Sequence, residues 1–164
     1  NIYLIIKSLL PILILFFIFN LFGLCFLGDN GTYIFSLVIS YIVITFINSS
    51  YNQISPILGA SYLWYPAFEN LYTILRRLSD KKKISQPDKL HLHTLLYSFL
   101  IKKYKSQKLI KFNSISGILI NIMLIPGLIF STIWFNKSFN LMILVLIQIS
   151  LYVLLHKTLV KLNK

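Results

Sequence analysis

Acidic residues and cysteine are scarce in this chain. Four Asp and Glu residues stand against sixteen Lys and Arg residues, and only 12% of the 164 residues are charged. The single cysteine, Cys25, excludes an internal disulfide and a cysteine-based metal cluster. Because charges are rare, long stretches carry none, namely residues 8–28, 30–68, 112–136 and 138–155. Apolar runs of about 20 residues are long enough to cross a bilayer as helices.

The apolar content predicts a membrane protein. Hydrophobic residues make up 57% of the chain and the mean hydropathy is +0.76, which a soluble domain rarely reaches. Five spans are predicted, over about residues 5–27, 33–47, 54–68, 112–134 and 139–155. We therefore expect an all-α fold, a polytopic transmembrane helical bundle, with a basic loop over residues 69–111. The chain begins with Asn1 rather than Met, so we expect residues 1–164 to be the C-terminal part of one integral membrane domain.

The distribution of positive charge predicts the orientation of the spans. Eleven of the sixteen Lys and Arg residues lie in the loop 69–111. Cytoplasmic loops carry such an excess, so we expect this loop, and the turn that holds Asp29, on the cytoplasmic side. The net charge of +12 is then explained by the membrane, and nucleic acid is not an expected partner.

The start of the loop has a helical pattern. Leu71, Ile74, Leu75 and Leu78 recur on one helical face, which predicts that the third span continues as a helix along the membrane surface. A second short helix is expected to start at residues 86–88.

Asp29 is the first candidate functional residue. It lies in Gly28-Asp29-Asn30-Gly31, between two apolar spans, where an ionisable side chain is costly. The alternative is structural, because Asp and Asn also suit a turn that caps the next helix.

Two histidines and two arginines are further candidates. His91 and His93 are two residues apart, so they would converge only on a loop or an irregular turn, and their imidazoles suit hydrogen bonds to phosphate. Arg76 and Arg77 offer planar forks for phosphate. The alternatives are interfacial histidines, as we expect for His156, and arginines held by anionic lipid headgroups. Together with Asp29, these residues suit a magnesium-dependent reaction of a phosphorylated substrate beside a lipid.

Three segments resemble a known family. Residues 26–32 are FLGDNGT, residues 65–78 are YPAFENLYTILRRL and residues 86–97 are QPDKLHLHTLLY. Their order and spacing resemble the polyprenyl-phosphate N-acetylhexosamine-1-phosphate transferases, which show Phe-Met-Gly-Asp-Ala-Gly-Ser, then Pro-x-Phe-Asp-Thr-Leu with an Arg-Arg pair, then Pro-Asp-Arg-x-His-Leu-His-His. Asn20, before the first segment, is also similar to that pattern.

The resemblance implies an enzyme of the bacterial inner membrane with its active site on the cytoplasmic side. Such an enzyme transfers a sugar-1-phosphate, N-acetylglucosamine-1-phosphate or a related N-acetylhexosamine-1-phosphate, from a UDP-sugar to polyprenyl (undecaprenyl) phosphate. It releases UMP and initiates synthesis of a cell-envelope polysaccharide. The implied cofactor is Mg²⁺, with Mn²⁺ as an alternative, and an oligomer is compatible with the resemblance.

The resemblance also implies roles for residues. It makes Asp29, His91 and His93 catalytic, with Asp29 as the metal ligand, and it assigns substrate binding to Arg76, Arg77, Asn30 and Asp88. Thr94 departs from the pattern, because the family has a further His there. Two alternatives therefore stay open: a non-catalytic multi-spanning protein or transporter, and a degenerate transferase that has lost activity.

Overall fold

All the regular secondary structure in the described part of the chain is α-helical. This computed structural model describes residues 2–49, 53–81, 88, 90–104 and 109–163, without the side chains of residues 2, 29 and 109. Within these ranges the helices are α1 (Ile2–Leu21), α2 (Gly28–Ser49), α3 (Ile57–Ser79), α4 (Leu92–Tyr104), α5 (Leu109–Ile133) and α6 (Ser138–Asn163). The predicted all-α bundle is confirmed.

Four of these helices are long and apolar enough to cross a membrane. The stretches are Tyr3–Leu21, Asn30–Ser49, Ile110–Ile133 and Ser138–Asn163, which fall on the first, second, fourth and fifth predicted spans. The third predicted span forms the first half of α3, which continues without a break to Ser79, as the apolar stripe predicts.

The turn between α1 and α2 is fixed by backbone geometry. Gly23 has a φ of 71°, and the N–H groups of Gly23 and Leu24 donate to the carbonyls of Asn20 and Phe19 at 2.9 Å each. This is a Schellman ending, in which glycine adopts the left-handed conformation without a Cβ penalty. The Asn20 side chain then donates to the carbonyl of Cys25 at 2.9 Å, which ties the end of α1 to the segment before Asp29.

Helices α3, α4 and α6 form the core near the end of the bundle at which α1 ends. Trp64 from α3, Leu92 and Leu95 from α4, and Tyr152 and Leu159 from α6 make one buried cluster. At the opposite end, a second cluster joins α3 to α6, and the Ser55 and Ser138 hydroxyls lie 2.8 Å apart.

The second half of α3 has its apolar side chains outside and its polar side chains inside. Leu71 and Leu75 are 51% and 54% exposed, whereas Glu69 and Arg77 are 8% and 7% exposed. A helix in water would show the reverse arrangement, so this pattern indicates that the outer face of α3 contacts lipid.

Helix α4 begins later than predicted. Residues 86 and 87 lie outside the described part of the chain, and Asp88 and Leu90 precede the helix, which starts at Leu92. Asp88 is held by Arg76 on α3, and its Oδ1 accepts the N–H of Leu90 at 3.0 Å. These contacts keep residues 88, 90 and 91 non-helical, so the helix starts later than the expected residues 86–88.

Candidate functional site

An ion pair anchors the segment before α4 to α3. The guanidinium of Arg76 donates to Asp88, and the two side chains are only 15% and 10% exposed. Burial by itself raises the pKa of Asp88, but the hydrogen bond from Leu90 and the charge of Arg76 outweigh it, and the pKa lies below its ordinary value. Asp88 is therefore ionised at neutral pH. Nε and Nη1 of Arg76 have no hydrogen-bond partner among the described residues.

A buried carboxylate joins three elements next to this ion pair. Oε2 of Glu69 accepts the hydroxyl of Tyr152 from α6 at 2.7 Å. Oε1 accepts the N–H of Leu92, at the start of α4, at 3.0 Å and lies 3.1 Å from Nδ1 of His91. A buried charge is costly unless hydrogen-bonded, and Glu69 meets that condition with three donors.

The two histidines of the motif converge, as required for a shared role. His91 lies just before α4 and His93 is its second residue, so the irregular start of the helix brings them together. Their rings stack with centroids 5.8 Å apart and an interplanar angle of 15°. Desolvation and the neighbouring His91 lower the pKa of His93 from its ordinary value, so the His93 ring is neutral at pH 7. The hydroxyl of Thr94 lies 3.2 Å from its Nε2.

Two residues of α6 belong to the same region although the motifs did not reveal them. Tyr152 is 1% exposed and bonds to Glu69, and His156 is 2% exposed and donates from Nε2 to the carbonyl of Leu90 at 2.8 Å. The sequence predicts an interfacial His156, but its ring is buried and packs edge-on against Tyr72, with the ring centroids 4.9 Å apart. Two sequence signals pointed to this network: Glu69 is the one acid within residues 30–79, and it stands where the family motif has Asp.

A cavity with a polar lining connects α1, α4 and α5 at this end of the bundle. Its volume is about 300 Å³, and its polar side chains come from Asn20, His93, Asn113, Ser114, Ser116 and Asn121. The hydroxyl of Ser114 donates to the carbonyl of Leu21 at 2.7 Å, which fastens the end of α1 to α5. His93 and Asn20 therefore line the same cavity, and the Asn20 side chain holds the segment that leads to Asp29.

The remaining predicted site residues are placed as follows. Asp29 is the second residue of α2, and its side chain lies outside what the structure describes, so its role as catalytic residue and metal ligand stays a prediction. Asn30 follows it and is exposed. Arg77 is buried, 7% exposed, on the inner face of α3. Substrate binding by Asn30, Arg76, Arg77 and Asp88 likewise stays a prediction.

The described side chains do not form a metal centre. No group of three or more His, Cys, Asp or Glu residues is gathered among them. Glu69 is engaged by Tyr152 and Leu92, and Asp88 by Arg76, so neither offers the free carboxylate oxygens that Mg²⁺ prefers. Further oxygen ligands would have to join Asp29 for a magnesium site.

The fold and this region define the chain as a polytopic helical membrane protein with a histidine-lined polar cavity at one end of its bundle. Comparison with known proteins adds one relative. Over 74 residues the chain is 32% identical to "Probable undecaprenyl-phosphate N-acetylglucosaminyl 1-phosphate transferase" of Bacillus subtilis (strain 168). The match covers 45% of this chain and 21% of that protein, so the chain spans about a fifth of the relative's length. No protein-family model and no solved structure matches. The similarity supports the family resemblance that the motifs indicate.

Proposed function

We propose that the protein transfers a sugar-1-phosphate from a UDP-sugar, UDP-N-acetylglucosamine or a related UDP-N-acetylhexosamine, to polyprenyl phosphate. The observation that carries the proposal is the cavity that His93, Asn20 and the asparagines of α5 line together. It lies at the end of apolar helices, where a lipid phosphate would lie, and six of its described lining side chains are polar while none is a carboxylate. The motif order and the transferase from Bacillus subtilis support the same activity.

The proposed reaction is a phosphoryl transfer. An oxygen of polyprenyl phosphate forms a bond to the β-phosphorus of the UDP-sugar, the bond from that phosphorus to the bridging oxygen breaks, and UMP leaves with that oxygen. The protein's task in such a reaction is to position the two phosphates and to stabilise the negative charge that moves to the leaving group.

The described residues suit that task in different ways. The neutral ring of His93 would donate a hydrogen bond to a phosphate oxygen in the cavity, and the carboxamides of Asn20 and Asn113 would bind polar groups of the substrate. Arg76, which holds the segment before α4 through Asp88, would supply fixed positive charge through its electrostatic field, because its Nε and Nη1 are buried and cannot contact a substrate directly. Mg²⁺, or Mn²⁺ in its place, is proposed as cofactor with Asp29 as one ligand, and its chemistry would be to neutralise the pyrophosphate.

The proposed location of the site is the cytoplasmic side of a bacterial inner membrane. The eleven positive residues of the loop 69–111 support this orientation, because the cavity is next to the loop's helix α4. Both proposed substrates would then reach the cavity, the nucleotide from the cytoplasm and the lipid from the inner leaflet.

The test is a transfer assay with the full-length protein in undecaprenyl-phosphate vesicles and a UDP-sugar labelled in the sugar. We expect label in the organic phase and an equal amount of UMP. His93→Ala should lower the rate about 100-fold. Asn136→Ala is the matched control, because Asn136 lines a pocket at the opposite end of the bundle, and it should keep the rate. Absence of transfer from every UDP-N-acetylhexosamine, or an unchanged rate in His93→Ala, would overturn the proposal.

A further inference from the structure

Glu69 has no role in the proposed reaction so far. Its carboxylate nevertheless lies within hydrogen-bond distance of three donors. One oxygen accepts from Tyr152, and the other lies within hydrogen-bond distance of Leu92 N–H and His91 Nδ1. Such a concentration of donors on one carboxylate fixes its position to within a narrow range. The partners therefore acquire a fixed position as well.

The contact with His91 determines where that ring carries its hydrogen. An ionised carboxylate only accepts hydrogen bonds, so the nitrogen that faces it, Nδ1, must be the one that bears the hydrogen. The hydroxyl of Thr73 lies 3.5 Å from the same nitrogen. In the neutral ring the opposite nitrogen, Nε2, then carries no hydrogen and can accept a hydrogen bond.

The orientation of His91 is passed to His93 by stacking. The two rings are nearly parallel, 15° apart at a centroid distance of 5.8 Å, so rotation of the His91 ring would disturb its neighbour. His93 lines the cavity that we propose binds the substrates. The chain of contacts from a buried carboxylate to the cavity is thus continuous: Glu69, His91, His93.

We propose that Glu69 is a positioning residue, which fixes the tautomer and the ring plane of His91 and thereby holds His93 towards the cavity. The inference rests on the proposed transfer reaction for its effect on rate, but the tautomer of His91 is a property of the protein alone. Carboxylates that orient a functional histidine are a common arrangement, and their loss typically lowers activity about 10- to 100-fold.

The variant to compare with the wild type is Glu69→Gln. Glutamine has nearly the same shape but a single acceptor oxygen, so it can accept either from Leu92 N–H or from the Tyr152 hydroxyl. In the second orientation its amide group donates towards Nδ1 of His91, so glutamine no longer selects the Nδ1–H form alone. Tyr152→Phe is the matched control, because it removes the bond to Oε2 and leaves the contact with His91.

The first measurement is the imidazole ¹⁵N spectrum of the full-length protein labelled in histidine, with His91→Asn to assign the resonance. We expect the Nδ1–H form of His91 in the wild type and in Tyr152→Phe, and a mixture of tautomers in Glu69→Gln. The second measurement is the transfer rate. We expect kcat to fall about 10- to 100-fold in Glu69→Gln, with KM for the UDP-sugar changed by less than about threefold, and kcat to fall no more than about threefold in Tyr152→Phe.

The two proposals can fail separately. If the wild type transfers no sugar phosphate but His91 shows the Nδ1–H form only when Glu69 is present, the proposed function is wrong and the positioning role stands. If His91 has the same tautomer in Glu69→Gln as in the wild type, or if that variant keeps its kcat in an active enzyme, the positioning role is refuted.

Discussion

Loss of the Asp88 carboxylate should destabilise the protein through the charge it leaves behind. In Asp88→Ala, the guanidinium of Arg76 would stay 15% exposed and lose its carboxylate partner, while its Nε and Nη1 already have no partner among the described residues. Removing one member of a buried ion pair costs about 3–5 kcal/mol, and partial exposure here places the loss near the lower end. Part of this cost, about 1 kcal/mol, is the lost acceptor for the N–H of Leu90. We expect a total loss of about 3 kcal/mol.

The assay is reversible denaturation of the full-length protein by SDS in mixed micelles, followed by the fluorescence of Trp64. Trp64 is 7% exposed and packs in the cluster with Leu92 and Leu95, so its emission reports on the docking of α4. A Trp134→Phe background removes the chain's other tryptophan. In this assay Asp88→Ala should lower the unfolding free energy by about 3 kcal/mol, and Asp88→Asn should lose less, because its amide oxygen still accepts the N–H of Leu90.

The paired substitution separates a buried charge effect from a general packing effect. Replacing Arg76 and Asp88 together by leucine removes both charges, so the double variant should be more stable than Asp88→Ala by about 2 kcal/mol or more. The reasoning is refuted if Asp88→Ala changes the unfolding free energy by less than about 0.5 kcal/mol, or if the effects of the two single substitutions simply add.

Three further predictions use the same denaturation assay. The pKa of Asp88 is below its ordinary value, so the ionised carboxylate contributes its full stabilisation above about pH 5 and loses it as the pH falls through the lowered pKa. The difference in unfolding free energy between wild type and Asp88→Asn should therefore be constant from pH 7 to 5 and shrink below about pH 4. Lys81, two residues beyond the end of α3, has a φ of 54°, and Lys81→Gly should therefore raise stability by about 0.5–1 kcal/mol while Lys81→Val lowers it; equal stability of the two variants would contradict this. A Cβ at Gly127 would overlap the carboxamide of Gln148, but that group ends a flexible side chain that can move away, so Gly127→Ala should cost no more than about 1 kcal/mol; a larger cost would show that Gln148 cannot shift.

The apolar spans and the exposed stripe of α3 could be predicted because they depend only on composition and period along the chain. The bilayer requires long charge-free runs, and Leu71 and Leu75 recur at helical spacing, so their exposure to lipid follows from the sequence. The sequence also predicted that His91 and His93 could converge only at a loop or an irregular turn. Their rings do stack, and helix α4 starts between the two residues.

The buried network could not be predicted by the same means. Tyr152 is 83 residues from Glu69, and His156 is 66 residues from Leu90, so both contacts depend on which face of α6 packs against α3 and α4. The period of an apolar helix does not identify that face when the bilayer is as apolar as the core. The start of α4 was misplaced for a related reason, because Asp88 bonds to Arg76 across the fold instead of capping its own helix.

The central claim, that the FLGDNGT segment and the histidine-lined cavity form parts of one transferase site, is tested most directly by Asp29→Asn in the full-length protein. The measurement is the initial rate of label transfer from UDP-N-acetylglucosamine to undecaprenyl phosphate at saturating Mg²⁺, with the SDS denaturation midpoint as the check on folding. We predict a rate lowered more than about 100-fold with an unchanged midpoint, because the substitution removes the proposed metal ligand's charge and little of its volume. Transfer at the wild-type rate by a correctly folded Asp29→Asn protein would contradict the claim.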